Sequence, residues 1–251
     1  VFQLNDTHPS IAVAELMRIL VDEYELDWQE AWSITTKTMA YTNHTLLPEA
    51  LEKWSVSLFA RLLPRILEII YEINARFLAE VALAWPGDVE KQRALSLIEE
   101  GPEPQIRMAY LAIVGSYSVN GVAALHTELL KAGLFNEFYQ LWPDKFNNKT
   151  NGVTPRRWLA HCNPELAKLL NQHIGDEWVA DFSKISQLRR LYDDPKFHKQ
   201  WQAVKHTNKQ RLVELVKNRC GVQFHAEMMF TVQVKRIHEY TRQLLTVLNV
   251  N

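Results

Sequence analysis

Glycine is scarce, with 8 in 251 residues, less than half the ~7% of an average chain. None of them forms G-x-G-x-x-G or G-x-x-x-x-G-K. Any phosphate held here must therefore be held by something other than a complete glycine-rich loop. Cysteine is scarcer still: Cys162 and Cys220 lie far apart and match no metal or disulfide spacing. Reduced thiols in a cytosolic protein are expected, and no metal site. There is no apolar run of ~18 residues, and no basic segment leading into an apolar stretch and a cleavage site. A cytoplasmic chain with no membrane partner follows as an expectation. Excess charge is missing too: 28 Lys+Arg against 29 Asp+Glu leave a net charge of −1, so nothing in bulk draws the chain to nucleic acid or anionic lipid. A serine elbow, H-E-x-x-H and a close pair of loop carboxylates, as a hydrolytic glycosidase needs, are all lacking.

What is present is the balance of a globular protein with a sizeable core, 47% hydrophobic and 23% charged, in one large domain or two modest ones. The chain opens on the apolar Val1-Phe2-Gln3-Leu4 and stops in LLTVLNVN without a terminator, so we expect a segment of a longer protein. Val1 to Leu4 reads as a strand running into Asn5-Asp6-Thr7-His8-Pro9. Helical spacing follows over Ile11 to Tyr24. Asp27 is placed to cap a helix over Trp28 to Met39, and residues 40–51 read as a loop. Val56 to Trp85 is helical with a break at Pro64. Asp88 to Glu100, Met108 to Val119 and Val122 to Ala132 also read as helices, the last two meeting at Asn120-Gly121. A polar stretch, 142–155, marks a domain boundary near Asn151. Beyond it, 156–162, 164–172, 181–191 and 194–219 read as helices, 229–234 as a strand, and 235–248 as a helix. The class is α/β and helix-rich.

Three polar clusters sit at element boundaries, where sites concentrate. Asn5-Asp6-Thr7-His8-Pro9 offers free backbone N–H groups to an anion or to sugar hydroxyls, or is an ordinary helix cap. Tyr41-Thr42-Asn43-His44-Thr45 packs hydrogen-bonding side chains between apolar helices. It serves either a ligand or its own loop. Val234 to Arg242 ends a predicted strand in the adjacent cations Lys235 and Arg236. Their different directions suit two separate anionic groups. Positive charge at a helix start opposes the helix dipole unless an anion is present, which weighs against a merely solvated charge run.

The segments QLNDTHPSIAVAELMRIL, AYTNHTLLPEALEKW, LLPRILEIIYEINARFL, VNGVAALHTELLK, KFNNKTNGVTPRRWL and VQVKRIHEY closely resemble the α-glucan (glycogen, starch or maltodextrin) phosphorylase family. The match is collinear over essentially the whole chain. The resemblance implies a partial GT-B-type fold: residues 1–151 from the late part of an N-terminal glucan-facing domain, and 152–251 from the start of a C-terminal cofactor-binding domain. It implies transfer of the terminal α-1,4-linked glucose to inorganic phosphate with retention. Pyridoxal 5′-phosphate is the cofactor, with its Schiff-base lysine outside this chain. A homodimer of the full-length protein is expected. His44 is expected at the sugar 6-hydroxyl, with its carbonyl facing the developing oxocarbenium ion, and Asn151 on the same side of the sugar. Asp6, His8, Glu49 and Ala50 line the cleft. Lys235 is expected on the cofactor phosphate, Arg236 on the substrate phosphate, Tyr240 between sugar and phosphate, and His238 and Glu239 in support.

Two positions depart from the family pattern: Thr241 stands where Lys is usual, and Thr231 where Asp is usual. Thr241 removes a positive charge where two phosphates meet, so weaker phosphate binding is expected. The alternative reading is a non-catalytic glucan-binding or degenerate remnant. Trp28, Trp32, Trp54 and Trp85 are assigned to helix packing. A surface glucan site along the helix carrying Tyr71 and Asn74 is a lesser alternative to plain packing there.

Overall fold

Parallel pairing of short strands sets the frame of this computed structural model, which describes residues 1–232 and 242–250. The chain divides into two compact units, Val1–Gly152 and Val153–Asn251. The first unit begins with β1 (Phe2–Asn5), α1 (Ala12–Arg18), α2 (Trp28–Thr38) and β2 (Met39–Thr42). An excursion follows through β3 (Lys53–Ser55), α3 (Val56–Leu62), α4 (Pro64–Ala84), α5 (Val89–Leu95), β4 (Ile98–Glu99) and β5 (Gln105–Arg107). The chain then returns as α6 (Met108–Gly115), β6 (Ser118–Gly121), α7 (Ala124–Leu129), α8 (Asn136–Leu141) and β7 (Phe146–Asn148).

Four strands form a parallel sheet in the order β1-β2-β6-β7. Gln3 lies opposite Ala40, Ala40 opposite Ser118, and Val119 opposite Phe146. The excursion carries its own antiparallel sheet, β3-β5-β4, in which Ile106 faces both Trp54 and Ile98. Helices cover the parallel sheet, which is why β2 buries Met39, Ala40 and Tyr41 in succession rather than alternately. That pattern explains a difference from the sequence reading. A short apolar run cannot be told from a helix end by periodicity, and Met39 to Thr42, expected as helix end and loop, is a strand. Residues 118–121, expected at the junction of two helices, are likewise a strand, and the polar stretch after Trp142 contains β7.

α4 shows why its sequence makes a helix. Pro64 sits at its first position, where a missing N–H is harmless, and ends α3 just before it. Ile66, Ile69, Ile70, Ile73, Phe77 and Val81 then recur every three or four residues and are all buried. Each such side chain stabilises the fold by about 1.5–3 kcal/mol. Phe77 stacks on Phe138 with ring centroids 5.9 Å apart, and Tyr110 meets Phe138 edge-on at 4.8 Å. α6 is buried at every residue but Tyr110, as expected of a helix apolar all round. The predicted cap is present: the Asp27 carboxylate accepts from the Glu30 N–H.

The second unit contains α9 (Pro164–Ile174), a 3₁₀ segment over Phe182–Leu191, α10 (Pro195–Cys220) and α11 (Arg242–Val250). Its core is small: Leu170, Ile174 and Trp178, with the Trp178 indole N–H donating to Asn171 Oδ1 at 2.9 Å. Cys162 and Cys220 are exposed free thiols. The strand expected over 229–234 is not formed by residues 229–232. A strand needs a neighbour to take its backbone hydrogen bonds, and none of the paired strands among the described residues lies beside them. Among the described residues, no helix is long and apolar enough to cross a membrane.

Candidate functional site

Because the four strands run parallel, their carboxyl ends Asn5, Thr42, Gly121 and Asn148 share one edge. Ligands of open α/β sheets bind at that edge. Backbone pairing continues past the strands there. The Asp6 N–H donates to the Thr42 carbonyl and the Asn43 N–H to the Asn120 carbonyl, each at 3.0 Å, and the Asn151 N–H donates to the Val122 carbonyl at 2.9 Å.

Side chains tie the strand ends together laterally. Thr42 Oγ1 donates to Asn120 Oδ1 at 2.7 Å and accepts from Gln3 Nε2 at 2.8 Å. The exposed His44 ring lies with Nε2 2.6 Å from Asn5 Oδ1. A carbonyl oxygen only accepts, so Nε2 carries the proton and Nδ1 is left as an acceptor. Asn43 is fully buried beneath this ring. Its Oδ1 accepts from His126 Nε2 at 2.8 Å and from the Thr45 N–H at 3.1 Å, and its Nδ2 donates to the Tyr41 hydroxyl at 3.1 Å. Burial pushes the Tyr41 phenol up. Burial, reinforced by the nearby His44, holds His126 below the ordinary imidazole range, so a neutral donor sits under the loop.

The Asn5–Pro9 turn departs from the helix-cap alternative. α1 begins at Ala12, and the residue before it, Ile11, makes no capping bond. Asp6 instead adopts φ +64° and its carboxylate accepts from the Thr7 N–H at 2.8 Å. A positive φ is uncommon outside glycine and most tolerable for Asp or Asn. The buried Thr7 donates through Oγ1 to Glu52 Oε2 at 2.7 Å, and His8 Nδ1 lies 3.6 Å from Glu52 Oε1. The turn is thus anchored through side chains to the start of the excursion, as well as by backbone to α1, whose Ala12 N–H donates to the Pro9 carbonyl at 2.9 Å.

Of the residues expected at a site, Asp6, His44 and Asn151 flank the carboxyl edge, and His8 faces Glu52. Ala50 and Glu49 lie in the 3₁₀ turn Pro48–Ala50 that follows the His44 loop; no bond ties Ala50 to His44. Lys235, Arg236 and Tyr240, with His238, Glu239 and Thr241, lie outside the described residues. Sequence reasoning missed His126, Asn120 and Glu52. His126 and Asn120 come from positions far along the chain, where only the polar Asn120-Gly121 closing an apolar run hinted at one of them, and Glu52, two residues past Ala50, carried no local signal of its bond to Thr7. Lys149 is engaged by the chain itself, donating to Asn147 Oδ1 at 2.6 Å and to the Asn148 carbonyl at 3.4 Å. The donors gathered here are amides, imidazoles and hydroxyls, a set suited to an uncharged polyhydroxyl ligand.

The family model described as carbohydrate phosphorylase matches residues 1–251. The chain is 56% identical to "Glycogen phosphorylase 2" of Dictyostelium discoideum over 249 residues, which are 99% of this chain and 25% of that protein. It is 54% identical to "Glycogen phosphorylase" of Synechocystis sp., covering 99% of this chain and 29% of that one. It is also 54% identical to "Glycogen phosphorylase, muscle form" of Bos taurus, covering 99% and 30%. The chain therefore spans 25% to 30% of the length of these relatives.

Proposed function

Because this chain belongs to the carbohydrate phosphorylase family, we propose that it is a segment of a glycogen or maltodextrin phosphorylase. The full-length enzyme would transfer the terminal α-1,4-linked glucose of a glucan to inorganic phosphate, giving glucose 1-phosphate with retention. Val1–Gly152 would belong to the N-terminal glucan-facing domain of a GT-B-type fold, and the remainder to the start of the C-terminal cofactor-binding domain. We further propose a cytoplasmic homodimer of the full-length protein.

The observation that carries the reading is the His44 ring fixed against Asn5 at 2.6 Å on the carboxyl edge of the sheet. A ring held by one nitrogen offers the other to a sugar hydroxyl in a set orientation, which is positioning of the kind catalysis requires. The His44 carbonyl would face the positive charge that develops on the sugar. Asn151, Asp6 and Glu49 would complete the hydroxyl contacts on this wall.

The same edge tests the fit of a cofactor. Its neutral donors suit sugar rather than phosphate; by the resemblance to the family, Lys235 would hold the 5′-phosphate of pyridoxal phosphate and Arg236 the substrate phosphate. When bound, that cofactor supplies an acid–base phosphate group. Lys235 and Arg236 would lower the electrostatic penalty of holding two phosphates side by side, and Tyr240 would bridge sugar and phosphate.

The test is release of glucose 1-phosphate from maltoheptaose by a full-length chain carrying these residues. Release should require inorganic phosphate, fall at least about 100-fold in His44→Ala, and be absent for the 251 residues alone. Phosphate-independent release of free glucose, or full activity in His44→Ala, would overturn the reading.

A further inference from the structure

The opposite, amino edge of the parallel sheet holds a cleft of about 550 Å³, within the ~300–1,000 Å³ of small-molecule sites. Lys37, Ser116 and Lys145 line it just before β2, β6 and β7 begin. Trp28, Trp32 and Trp142 give it flat apolar walls, and Ile73, Phe77 and Val114 line it too. The cleft is therefore separate from the carboxyl edge assigned to sugar.

Two groups in it lack the partners that burial demands. Ser116 is fully buried, and its hydroxyl has no hydrogen-bond partner, a state that is costly unless something bonds to it. Lys145 is half-buried, and among the described residues its ammonium has no carboxylate within ion-pair reach; Nζ donates to the Ile113 carbonyl at 3.3 Å and lies 3.6 Å from the centre of the Trp142 ring. Burial pushes this lysine down to about 8, with Glu80 only partly opposing the shift. Glu80 is itself engaged, accepting from the Trp142 indole N–H at 2.9 Å. On the rim, the Arg76 guanidinium lies 5.0 Å over Trp28 and bonds to Glu72.

Charge and surface together select the ligand. Lys37 and the Glu72-paired Arg76 are exposed at the rim, and Lys145 is the half-buried cation of the lining, so the interior asks for one negative charge, where a phosphate dianion would want several charged donors. Of the neutral polar side chains, Gln29 and Tyr117 are exposed and the Thr36 hydroxyl already donates to the Trp32 carbonyl, which leaves the Ser116 hydroxyl inside and most of a sugar's hydroxyls without an interior partner. Indole faces and aliphatic side chains favour a flat ring. We propose that this cleft binds a small aromatic carboxylate, its ring against the tryptophans and its carboxylate on the Lys145 ammonium and the Ser116 hydroxyl.

The test is isothermal titration of a full-length phosphorylase chain carrying these residues, with 2-naphthoate as probe and its uncharged amide, 2-naphthamide, as control. Naphthoate should bind saturably, at least about 10-fold more tightly than the amide, since one charge-assisted contact is worth ~1.5 kcal/mol or more. Lys145→Met and Ser116→Ala should each weaken naphthoate and leave the amide unchanged. His44→Ala should not alter naphthoate binding. Near pH 8, binding should take up protons, read as a dependence of the heat on buffer ionisation, because the carboxylate raises the Lys145 pKa. Absence of saturable naphthoate binding overturns the proposal, including where another part of the longer chain covers the cleft. So does equal affinity for acid and amide, or indifference to both substitutions.

Discussion

His126 donates its Nε2 proton to Oδ1 of the fully buried Asn43 across 2.8 Å, although the two residues are 83 positions apart. That bond locks the β2 end loop to α7, and with it the backbone that presents His44. Asn43→Ala would strand two donors, His126 Nε2 and the Thr45 N–H, and leave the Tyr41 hydroxyl without its partner. A loss of about 2–4 kcal/mol is expected by urea denaturation. His126→Gln keeps an N–H donor and should lose less than half of what His126→Ala loses; equal losses would show that the bond is not what matters there.

The same histidine gives a pH signature. Its folded-state pKa lies below the ordinary value of 6.5 because burial, aided by His44, disfavours the charged ring. A folded-state pKa that is depressed means the unfolded chain takes up the proton first. The contribution is intact above pH 6.5 and is lost as pH falls below it. Stability measured from pH 7 to pH 5 should therefore fall less steeply in His126→Gln than in the parent chain. An identical slope in both would remove His126 from the acid response.

Two glycines test tight packing, one between α6 and α1 and the other between β6 and α7. A methyl at Gly115 would strike the side chain of Val13, while one at Gly121 would strike Thr127, including its Cα at 2.9 Å. Overpacking of this kind destabilises by about 1–3 kcal/mol. The two sites should differ in rescue. Val13→Ala should recover much of the loss in Gly115→Ala, because side-chain atoms are the obstacle. No change at Thr127 should recover Gly121→Ala, because backbone is. Differential scanning calorimetry of the single and double variants checks both.

Much of this frame is legible in the sequence, and the failures have a common cause. Helices with many apolar turns, such as α4 with its break at Pro64, follow from spacing alone. The strands of the parallel sheet are three or four residues long and buried among helices. Their apolar runs, Met39-Ala40-Tyr41 above all, carry no alternation. The site was legible only where its residues cluster locally, as around His44. Asn120 and His126 reach it through the parallel crossover to β6, and Glu52 meets Thr7 only once β1 and β2 pair, which local pattern does not encode. The resemblance to phosphorylases supplied the chemistry that spacing could not.

Lys145 predicts an alkaline rise in stability. Its pKa falls from 10.5 to about 8 on folding because burial disfavours the ammonium. Between those values the unfolded chain holds more protons than the folded one, so stability increases with pH. The gain is on the order of 2–3 kcal/mol between pH 8 and about pH 10. Above pH 10 the buried Tyr41 phenol and the half-buried Tyr110 phenol, both pushed up by desolvation, act in the opposite sense. Urea titrations across pH 7.5–10 should show the rise in the parent chain and a flatter profile in Lys145→Met. A parallel rise in both would assign it to other groups.

Thr241 follows VKRIHEY, where the resembling family usually carries Lys. If Lys235 and Arg236 each hold one phosphate, the two dianions repel, and a third cation beside them would favour the pair. Threonine offers a hydroxyl but no charge. Thr241→Lys in a full-length chain should therefore lower KM for inorganic phosphate by roughly 10-fold, the value of one charge-assisted hydrogen bond of ~1.5 kcal/mol. KM for maltoheptaose should stay the same, since the sugar wall proposed around His44 carries no part of this charge. Added salt should erode the gain, because counterions screen the attraction between a cation and a phosphate. Equal phosphate KM with Thr and Lys at this position, at low salt, would show that Lys235 and Arg236 already suffice.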